Sequence, residues 1–168
     1  MHDANAIPTP FDRFRTEIRQ EWIDYNGHMN VAYYVLVFDR ATDVFFDYLG
    51  IGLEYLKRTN NSTFSLESHV TYQGEVRLGD PVRITSQLLG VDAKRLHFLQ
   101  RMYHAEKGYL ASTLESVSLH VSLESRRAVS FPPDRQSFLE RVAAAHGTLG
   151  VPEEAGRRVS MDRKAAQR

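Results

Sequence analysis

Residues 24–50, DYNGHMNVAYYVLVFDRATDVFFDYLG, decide the fold, because a run of turn-forming residues passes here into a long apolar pattern. Asn30 is placed to cap a helix, and Gly50 follows the last apolar position as a stop signal. Between them, apolar residues recur every three or four positions over about five turns, which predicts one long helix over roughly residues 30–48. The positions that share this spacing are Val31, Tyr34, Val35, Phe38, Ala41, Thr42, Phe45 and Leu49.

Segments with β-strand patterns flank this helix. Apolar and polar residues alternate from Phe14 to Ile23, which predicts a strand before it. A short helical turn over residues 53–58 follows, and later Asp134 is placed to cap a second helix that ends at Gly147. One long apolar helix among antiparallel strands predicts an α+β fold, with a curved five-stranded antiparallel sheet wrapped around the helix. The four later strands, predicted to form a meander, are residues 63–76, 81–91, 96–105 and 109–123.

Length and composition favour one globular domain. The chain has 168 residues, of which 42% are hydrophobic and 25% charged. We expect an N-terminal arm over residues 1–13, the domain over 14–147, and a C-terminal tail over 148–168 that is mobile or docked on a partner. Twenty-one basic residues balance 21 acidic ones, which argues against a nucleic-acid partner. No leader-like start and no long apolar run occur, so we expect a cytoplasmic protein with no membrane partner.

The segment from Asp24 to Asn30 carries the most unusual chemistry. Asp24 precedes Gly27 by three residues and the helix cap by six, so its carboxylate can lie beside the unpaired N–H groups of the helix start. Such N–H groups can stabilise an oxyanion, while a carboxylate attacks a carbonyl or activates water. Gly27 would permit close approach of the backbone, and His28 can protonate a leaving group or brace the loop. The structural alternative is that Asp24 only caps a turn and Asn30 only caps the helix.

The run Asp-Tyr-Asn-Gly-His-Met-Asn, followed by Tyr33, Phe38 and Ala41, resembles the signature of hotdog-fold acyl-CoA thioesterases of the 4-hydroxybenzoyl-CoA thioesterase type. The resemblance extends from residue 14 to about residue 123. It implies hydrolysis of an acyl-CoA, with Asp24 as nucleophile or general base and the Val31 N–H polarising the thioester carbonyl. It also implies a homodimer or homotetramer with sites at the subunit interface. No separate cofactor is implied, because CoA enters as part of the substrate.

Four further stretches resemble a narrower group, the thioesterase domain that accompanies or is fused to carnitine dehydrogenase and acts on betainyl-CoA. They are LESHV at 66–70, KRLH at 94–97, LHV at 119–121 and PEEAGR at 152–157. This resemblance implies hydrolysis of betainyl-CoA to glycine betaine, whose quaternary ammonium calls for aromatic faces or carboxylates. The substrate-binding candidates are Gly27, Trp22, Tyr25, Tyr33, Glu67 and Glu115, with Tyr34 and Tyr72 also available.

Several alternatives stay open at this point. The aromatic candidates also fit core packing, and the two glutamates could instead pair with Arg83 or Arg101. A metal site is not expected, since His97 and His104 differ by an odd number within one strand and no His-Glu-x-x-His occurs. The absence of cysteine removes thiol nucleophiles, and no Gly-x-Ser-x-Gly elbow occurs. The rival functions are another short, medium-chain or aromatic acyl-CoA thioesterase, a hydratase, a non-catalytic acyl-CoA-binding protein and a structural protein.

Overall fold

A computed structural model describes residues 6–161, and every structural statement below refers to that range. The elements in chain order are β1 (Phe11–Glu17), a 3-10 turn (Gln20–Trp22), α1 (Val31–Leu49), α2 (Leu53–Thr59), β2 (Asn61–Tyr72), β3 (Pro81–Val91), β4 (Arg95–His104), β5 (Leu110–Ser122), β6 (Arg127–Ala128) and α3 (Pro133–Gly147).

Helix α1 has the limits that its sequence signals predict. The side chain of Asn30 caps its first turn by accepting a hydrogen bond from the N–H of Ala32. Gly50 ends it with φ of 71°, a left-handed conformation that glycine adopts without a Cβ penalty. The prediction of one long helix with these two caps is confirmed.

The sheet curves around α1. Its strand order is β1-β3-β4-β5-β2, with β6 beside β5, and every pairing is antiparallel. The ring of Phe45 lies 5.3 Å from that of Phe11 on β1 and 6.1 Å from that of Phe98 on β4. Tyr34, nearer the helix start, lies 5.2 Å from Tyr72 on β2. Because one helix reaches both edge strands and the centre, the sheet must wrap around it, which confirms the α+β prediction.

Alternate residues of each strand separate an inner face, toward α1, from an outer face. On β4 the inner side chains include Phe98 and Gln100, whose amide oxygen accepts a hydrogen bond from Thr42 of α1 at 3.2 Å. His104 is also on the inner side and is 1% exposed, whereas the side chain of His97 is 41% exposed on the outer side. The prediction that these two histidines face opposite sides is confirmed.

Several details of the sheet differ from the sequence prediction. Only β3, β4 and β5 form a meander, because the chain passes from the β1 edge through α1 and α2 to the opposite edge, where β2 pairs with β5. A two-residue sixth strand joins the five predicted ones. The first strand spans Phe11–Glu17, so it begins inside the predicted arm, and the apolar alternation beyond it belongs partly to the 3-10 turn.

The start of α3 also corrects a prediction. Asp134 does not cap this helix; Pro132 occupies the cap position, and Pro133 is the first helical residue. Proline suits that position because its fixed φ matches the helix and its missing N–H would have no partner there. Asp134 instead lies in the first turn, where its carboxylate pairs with Arg135 at 3.0 Å.

The C-terminal tail is docked on the outer face of its own sheet, contrary to the prediction that it is mobile or held by a partner. The guanidinium of Arg101 donates two hydrogen bonds to the carboxylate of Glu154, at 2.6 and 3.3 Å. The N–H of Gly156 donates to Glu115 at 2.7 Å. These contacts fix the tail as far as Gly156; residues 162–168 lie outside the described range.

Candidate active site at the start of helix α1

A tight loop returns the chain from the 3-10 turn to the start of α1. Ile23 and Met29 form an isolated antiparallel bridge. Within it, the N–H of Asp24 donates to the carbonyl of His28 at 3.1 Å, and the N–H of Gly27 donates to the carbonyl of Asp24 at 3.0 Å. The N–H of Asn30 donates to the carbonyl of Trp22 at 2.9 Å, so the residues around Asp24 lie directly beside the helix start.

Gly27 has φ of 81°, the left-handed region in which most other residues are strained. A Cβ placed there would meet no described atom within 4 Å. The loop therefore needs glycine for its backbone conformation, and the close approach of the backbone predicted from the sequence stays a prediction.

The carboxylate of Asp24 is anchored on one side only. Its Oδ1 accepts a hydrogen bond from the N–H of Asn26 at 2.8 Å, so the turn-capping geometry weighed from the sequence is present. No group in residues 6–161 donates to its Oδ2 or forms an ion pair with it. One oxygen orients the carboxylate, and the other is left for a substrate or a water molecule.

The start of α1 leaves one N–H free as well. Asn30 accepts the N–H of Ala32 on its side-chain oxygen at 3.0 Å and the N–H of Tyr33 on its carbonyl at 3.0 Å. Within the described range, the N–H of Val31 has no protein acceptor. A free N–H at the positive end of a 19-residue helix is suited to stabilising an oxyanion.

A cavity of about 240 Å³ opens beside this helix start. The rings of Tyr34 and Tyr72 form two of its walls at an interplanar angle of 83°. The Tyr34 hydroxyl donates to the carbonyl of Gly74 at 3.4 Å, which fixes the orientation of that ring. The remaining lining residues are His28, Met29, Val31, Gln73 and Glu75.

Two of the polar groups that line this cavity are phenols. Burial raises the pKa of the Tyr34 hydroxyl and also that of Tyr72, so both remain uncharged phenols at neutral pH. The imidazole of His28 lies 3.9 Å from the carboxylate of Glu75, which also lies 3.5 Å from the guanidinium of Arg77. The cavity thus joins two aromatic rings, a histidine and a carboxylate to the free N–H of Val31.

Three aromatic candidates from the sequence do not reach this cavity. Trp22 is 2% exposed, and the guanidinium carbons of Arg19 and Arg40 lie 5.4 and 5.5 Å from its ring centroid. Tyr33 stacks on the same indole with ring centroids 6.0 Å apart. Tyr25 is 97% exposed and does not line this cavity. The indole of Trp22 thus already has two arginine partners.

Glu67 and Glu115 lie together on the outer face of the sheet, away from Asp24. They line a second cavity, in which Glu115 accepts hydrogen bonds from the Gly156 N–H and, at 2.7 Å, from His97. Neither pairs with the arginines considered from the sequence, because Arg83 binds Asp12 and Arg101 binds Glu154. Glu115 therefore holds the C-terminal tail.

A third cavity, of about 450 Å³, was not predicted from the sequence. It lies between α1, α2 and β2, and Asp39, Asp43 and Asp47 line it from successive turns of α1. Burial, and then repulsion by the other two carboxylates, raise the pKa of Asp43. The four-residue spacing of these aspartates is the sequence signal that could have revealed this acidic face.

The described residues, 6–161, include no candidate metal centre and no candidate membrane-spanning helix. Across residues 6–161, no three His, Asp or Glu side chains come together in a group that could hold a metal ion. None of the helices in that range is long and apolar enough to cross a bilayer.

Comparison with known proteins matches the chain to one family. The pattern of the thioesterase-like superfamily matches residues 18–142. A betainyl-CoA thioesterase of Pseudomonas aeruginosa is 37% identical over 148 residues, which are 88% of this chain and 93% of that protein. An L-carnitine dehydrogenase/betainyl-CoA thioesterase of Ruegeria pomeroyi is 36% identical over 92% of this chain, although the match spans only 31% of that longer protein.

Solved structures agree with the sequence matches. A Staphylococcus aureus protein in complex with CoA superposes with a TM-score of 0.85 at 28% identity, covering 95% of this chain and 100% of its own. A putative thioesterase from Pseudomonas putida superposes with a TM-score of 0.78 at 30% identity, covering 94% of this chain and 99% of its own.

Proposed function

Because this chain belongs to the thioesterase-like superfamily, as a hotdog-fold thioester hydrolase, we propose that it hydrolyses betainyl-CoA to glycine betaine and CoA at the start of α1. The observation that carries this proposal is an unsatisfied N–H at Val31 that follows, after one short loop, the carboxylate of Asp24, whose second oxygen accepts no hydrogen bond from the described residues. Thioester hydrolysis requires these two elements, a donor for the developing oxyanion and a base or nucleophile.

In the proposed mechanism, the thioester carbonyl oxygen accepts a hydrogen bond from the N–H of Val31. Asp24 acts by one of two routes: it removes a proton from water as the water attacks, or it attacks the carbonyl carbon itself and water then opens the resulting anhydride. In both routes the C–S bond breaks and the CoA sulfur takes up a proton. His28 lines the cavity and can deliver that proton, and Asn30 positions the donor by capping the helix.

The acyl-CoA part of the proposal rests on the relatives. The two curated relatives described above carry betainyl-CoA thioesterase in their names, and the S. aureus structure was solved in complex with CoA. The reaction as proposed needs water and the substrate, which brings its own CoA.

The proposal includes a homodimer, because β2 is an open edge of the sheet with apolar side chains exposed beside it. The chain pairs β2 with β5 on one side only. Phe64 and Leu66 on this strand are 44% and 56% exposed, and Val31 and Val35 on α1 are 59% and 45% exposed. A long edge strand beside apolar surface favours pairing with a second copy, which would bring the start of α1 to the interface.

The experiment that tests the proposed function is thiol release from a panel of CoA thioesters: betainyl-, acetyl-, octanoyl- and benzoyl-CoA. We expect the highest kcat/KM for betainyl-CoA. Preference for octanoyl- or benzoyl-CoA would support thioester hydrolysis but contradict betainyl-CoA as the substrate. Binding of CoA thioesters without any thiol release would favour an acyl-CoA-binding protein.

A further inference from the structure

The shape of the betainyl group limits where its charge can lie. Its acyl part is N-trimethylated glycine, so one methylene separates the quaternary nitrogen from the reacting carbonyl carbon. With N–Cα of 1.46 Å, Cα–C of 1.52 Å and an angle near 111°, the nitrogen lies about 2.5 Å from the carbonyl carbon. The groups that recognise the cation must therefore line the same cavity that receives the carbonyl.

This limit separates two regions of α1 that could attract a cation. The third cavity, called here the acidic cavity, is lined by Asp39, Asp43 and Asp47. Its first lining residue on α1, Asp39, follows Val31 by eight residues, which is about 12 Å along the helix axis. A cation about 2.5 Å from a carbon bound at the Val31 N–H cannot reach that cavity. The cavity that Tyr34 and Tyr72 line includes Val31 itself, so a carbonyl bound at the helix start and the adjacent cation can share that cavity.

We propose, on the basis of the proposed function, that Tyr72 and Tyr34 bind the quaternary ammonium of the substrate and that Tyr72 determines selectivity for a cationic acyl group. A ring face within about 6 Å attracts a quaternary ammonium through its quadrupole, and this attraction strengthens where water is excluded. Tyr34 is 4% exposed and forms a fixed wall, whereas Tyr72 is 50% exposed at the end of β2 and offers ring surface to a ligand.

The surroundings of the two tyrosines support a cationic ligand over an anionic one. No arginine or lysine of the described range is positioned over the ring of Tyr34 or Tyr72, in contrast to Trp22. The carboxylate of Glu75 lines the same cavity and adds negative potential. This potential is weakened because the Glu75 side chain is 60% exposed and lies near the guanidinium of Arg77. Neutral rings thus supply the direct contact, and Glu75 supplies long-range attraction.

The test compares betainyl-CoA with 3,3-dimethylbutanoyl-CoA, in which carbon replaces the quaternary nitrogen and the shape is preserved without the charge. The ratio of their kcat/KM values measures selectivity within each protein sample, so a partly misfolded variant does not distort it. We expect the wild type to prefer betainyl-CoA. Tyr72→Leu should lower the ratio by about 3- to 30-fold, as loss of one cation–π contact implies. Tyr72→Phe, which keeps the ring, should retain most of the preference.

Asp43→Asn in the acidic cavity is the matched control. It removes a negative charge from a cavity that, in this proposal, the acyl group does not contact. We expect its ratio to equal that of the wild type. If Tyr72→Leu leaves this kcat/KM ratio unchanged, or if only Asp43→Asn lowers it, the proposed role of the tyrosines is overturned. Neither result would contradict hydrolysis of betainyl-CoA itself. A wild type that releases thiol from no CoA thioester would overturn the proposed function itself.

Discussion

The imidazole of His146 accepts a hydrogen bond on Nδ1 from the backbone N–H of Leu88 at 2.8 Å, which ties the end of α3 to β3. Its other nitrogen, Nε2, lies 2.8 Å from the carbonyl of Pro8 and must donate to it. These two bonds fix the neutral tautomer with the proton on Nε2. Burial lowers the pKa of His146, and protonation of Nδ1 would place two donors against each other.

Two buried histidines, His146 and His120, predict an acid-sensitive fold. Burial also lowers the pKa of His120, whose ring lies between the Tyr55 hydroxyl and the Val129 carbonyl. As the pH falls below the unfolded value of about 6.5, the unfolded chain takes up these protons first. The stabilisation is therefore complete above about pH 6.5 and declines as the pH falls toward the folded pKa, by at most about 1.4 kcal/mol per pH unit for each proton.

Urea unfolding at pH 7.5, 6.5 and 5.5 measures this decline. His146→Gln and His120→Gln should each be less stable than the wild type at pH 7.5, yet each should lose less further stability on acidification. Parallel pH profiles for the wild type and both variants would contradict the assignment of the decline to these two residues.

Asn30 gives a matched pair of variants that separates helix capping from catalysis. Asn30→Ala removes the acceptor for the Ala32 N–H, so we expect a loss of about 1 kcal/mol in the free energy of unfolding together with lower kcat. Asn30→Asp keeps an acceptor but places a negative charge beside the proposed oxyanion, so stability should stay near wild type while kcat falls at least about tenfold. Full kcat in Asn30→Asp would argue against an oxyanion at Val31.

Gly27 offers a second pair, directed at loop conformation. Gly27→Ala must hold a Cβ at φ of 81°, which we expect to cost about 1–2 kcal/mol in stability. Gly27→Asn should cost less, since asparagine tolerates the left-handed region and no described atom lies within 4 Å of the added Cβ. Chemical denaturation of both variants checks this order, and equal losses would point to a steric cause instead.

The exposed edge of β2 predicts the assembly. Leu66→Lys places a charge on that edge and should convert the proposed dimer to a monomer with reduced activity. Leu78→Lys is the control, because Leu78 is similarly exposed, at 54% against 56%, but lies in the turn between β2 and β3. Sedimentation velocity distinguishes the two species. A wild type that sediments as a monomer, or a dimer that survives Leu66→Lys, would contradict the proposed interface.

Local signals account for the parts of the fold that the sequence predicted well. A cap at Asn30, a stop at Gly50 and regular apolar spacing between them all lie within one segment, and β3 likewise has the predicted limits of Pro81–Val91. The pairing of β2 with β5 joins residues about 50 positions apart, and no local pattern encodes it. For α3, two neighbouring residues offered competing start signals, and the proline outweighed Asp134.

In the candidate site, too, the features within one segment could be predicted from the sequence, whereas those that depend on contacts between distant elements could not. Asp24 and Val31 lie on one short loop and the helix start that follows it, so their spacing in the sequence sufficed to predict that they belong to one local segment. The wall that Tyr72 forms opposite Tyr34 depends on β2 reaching the far edge of the sheet. Trp22 looked equally suitable in the sequence, but Arg40 of α1 covers its ring, a contact between residues in separate elements.

The central claim is that the Asp24 carboxylate drives thioester hydrolysis, and thiol release by wild type and Asp24→Asn with betainyl-CoA tests it most directly. The amide keeps the size of the side chain and an oxygen that can accept the Asn26 N–H, so the loop should fold and the free energy of unfolding should change little. It cannot act as a base or form the anhydride, so we predict a fall in kcat of at least about a hundredfold. A folded Asp24→Asn variant with kcat near that of the wild type would contradict the claim.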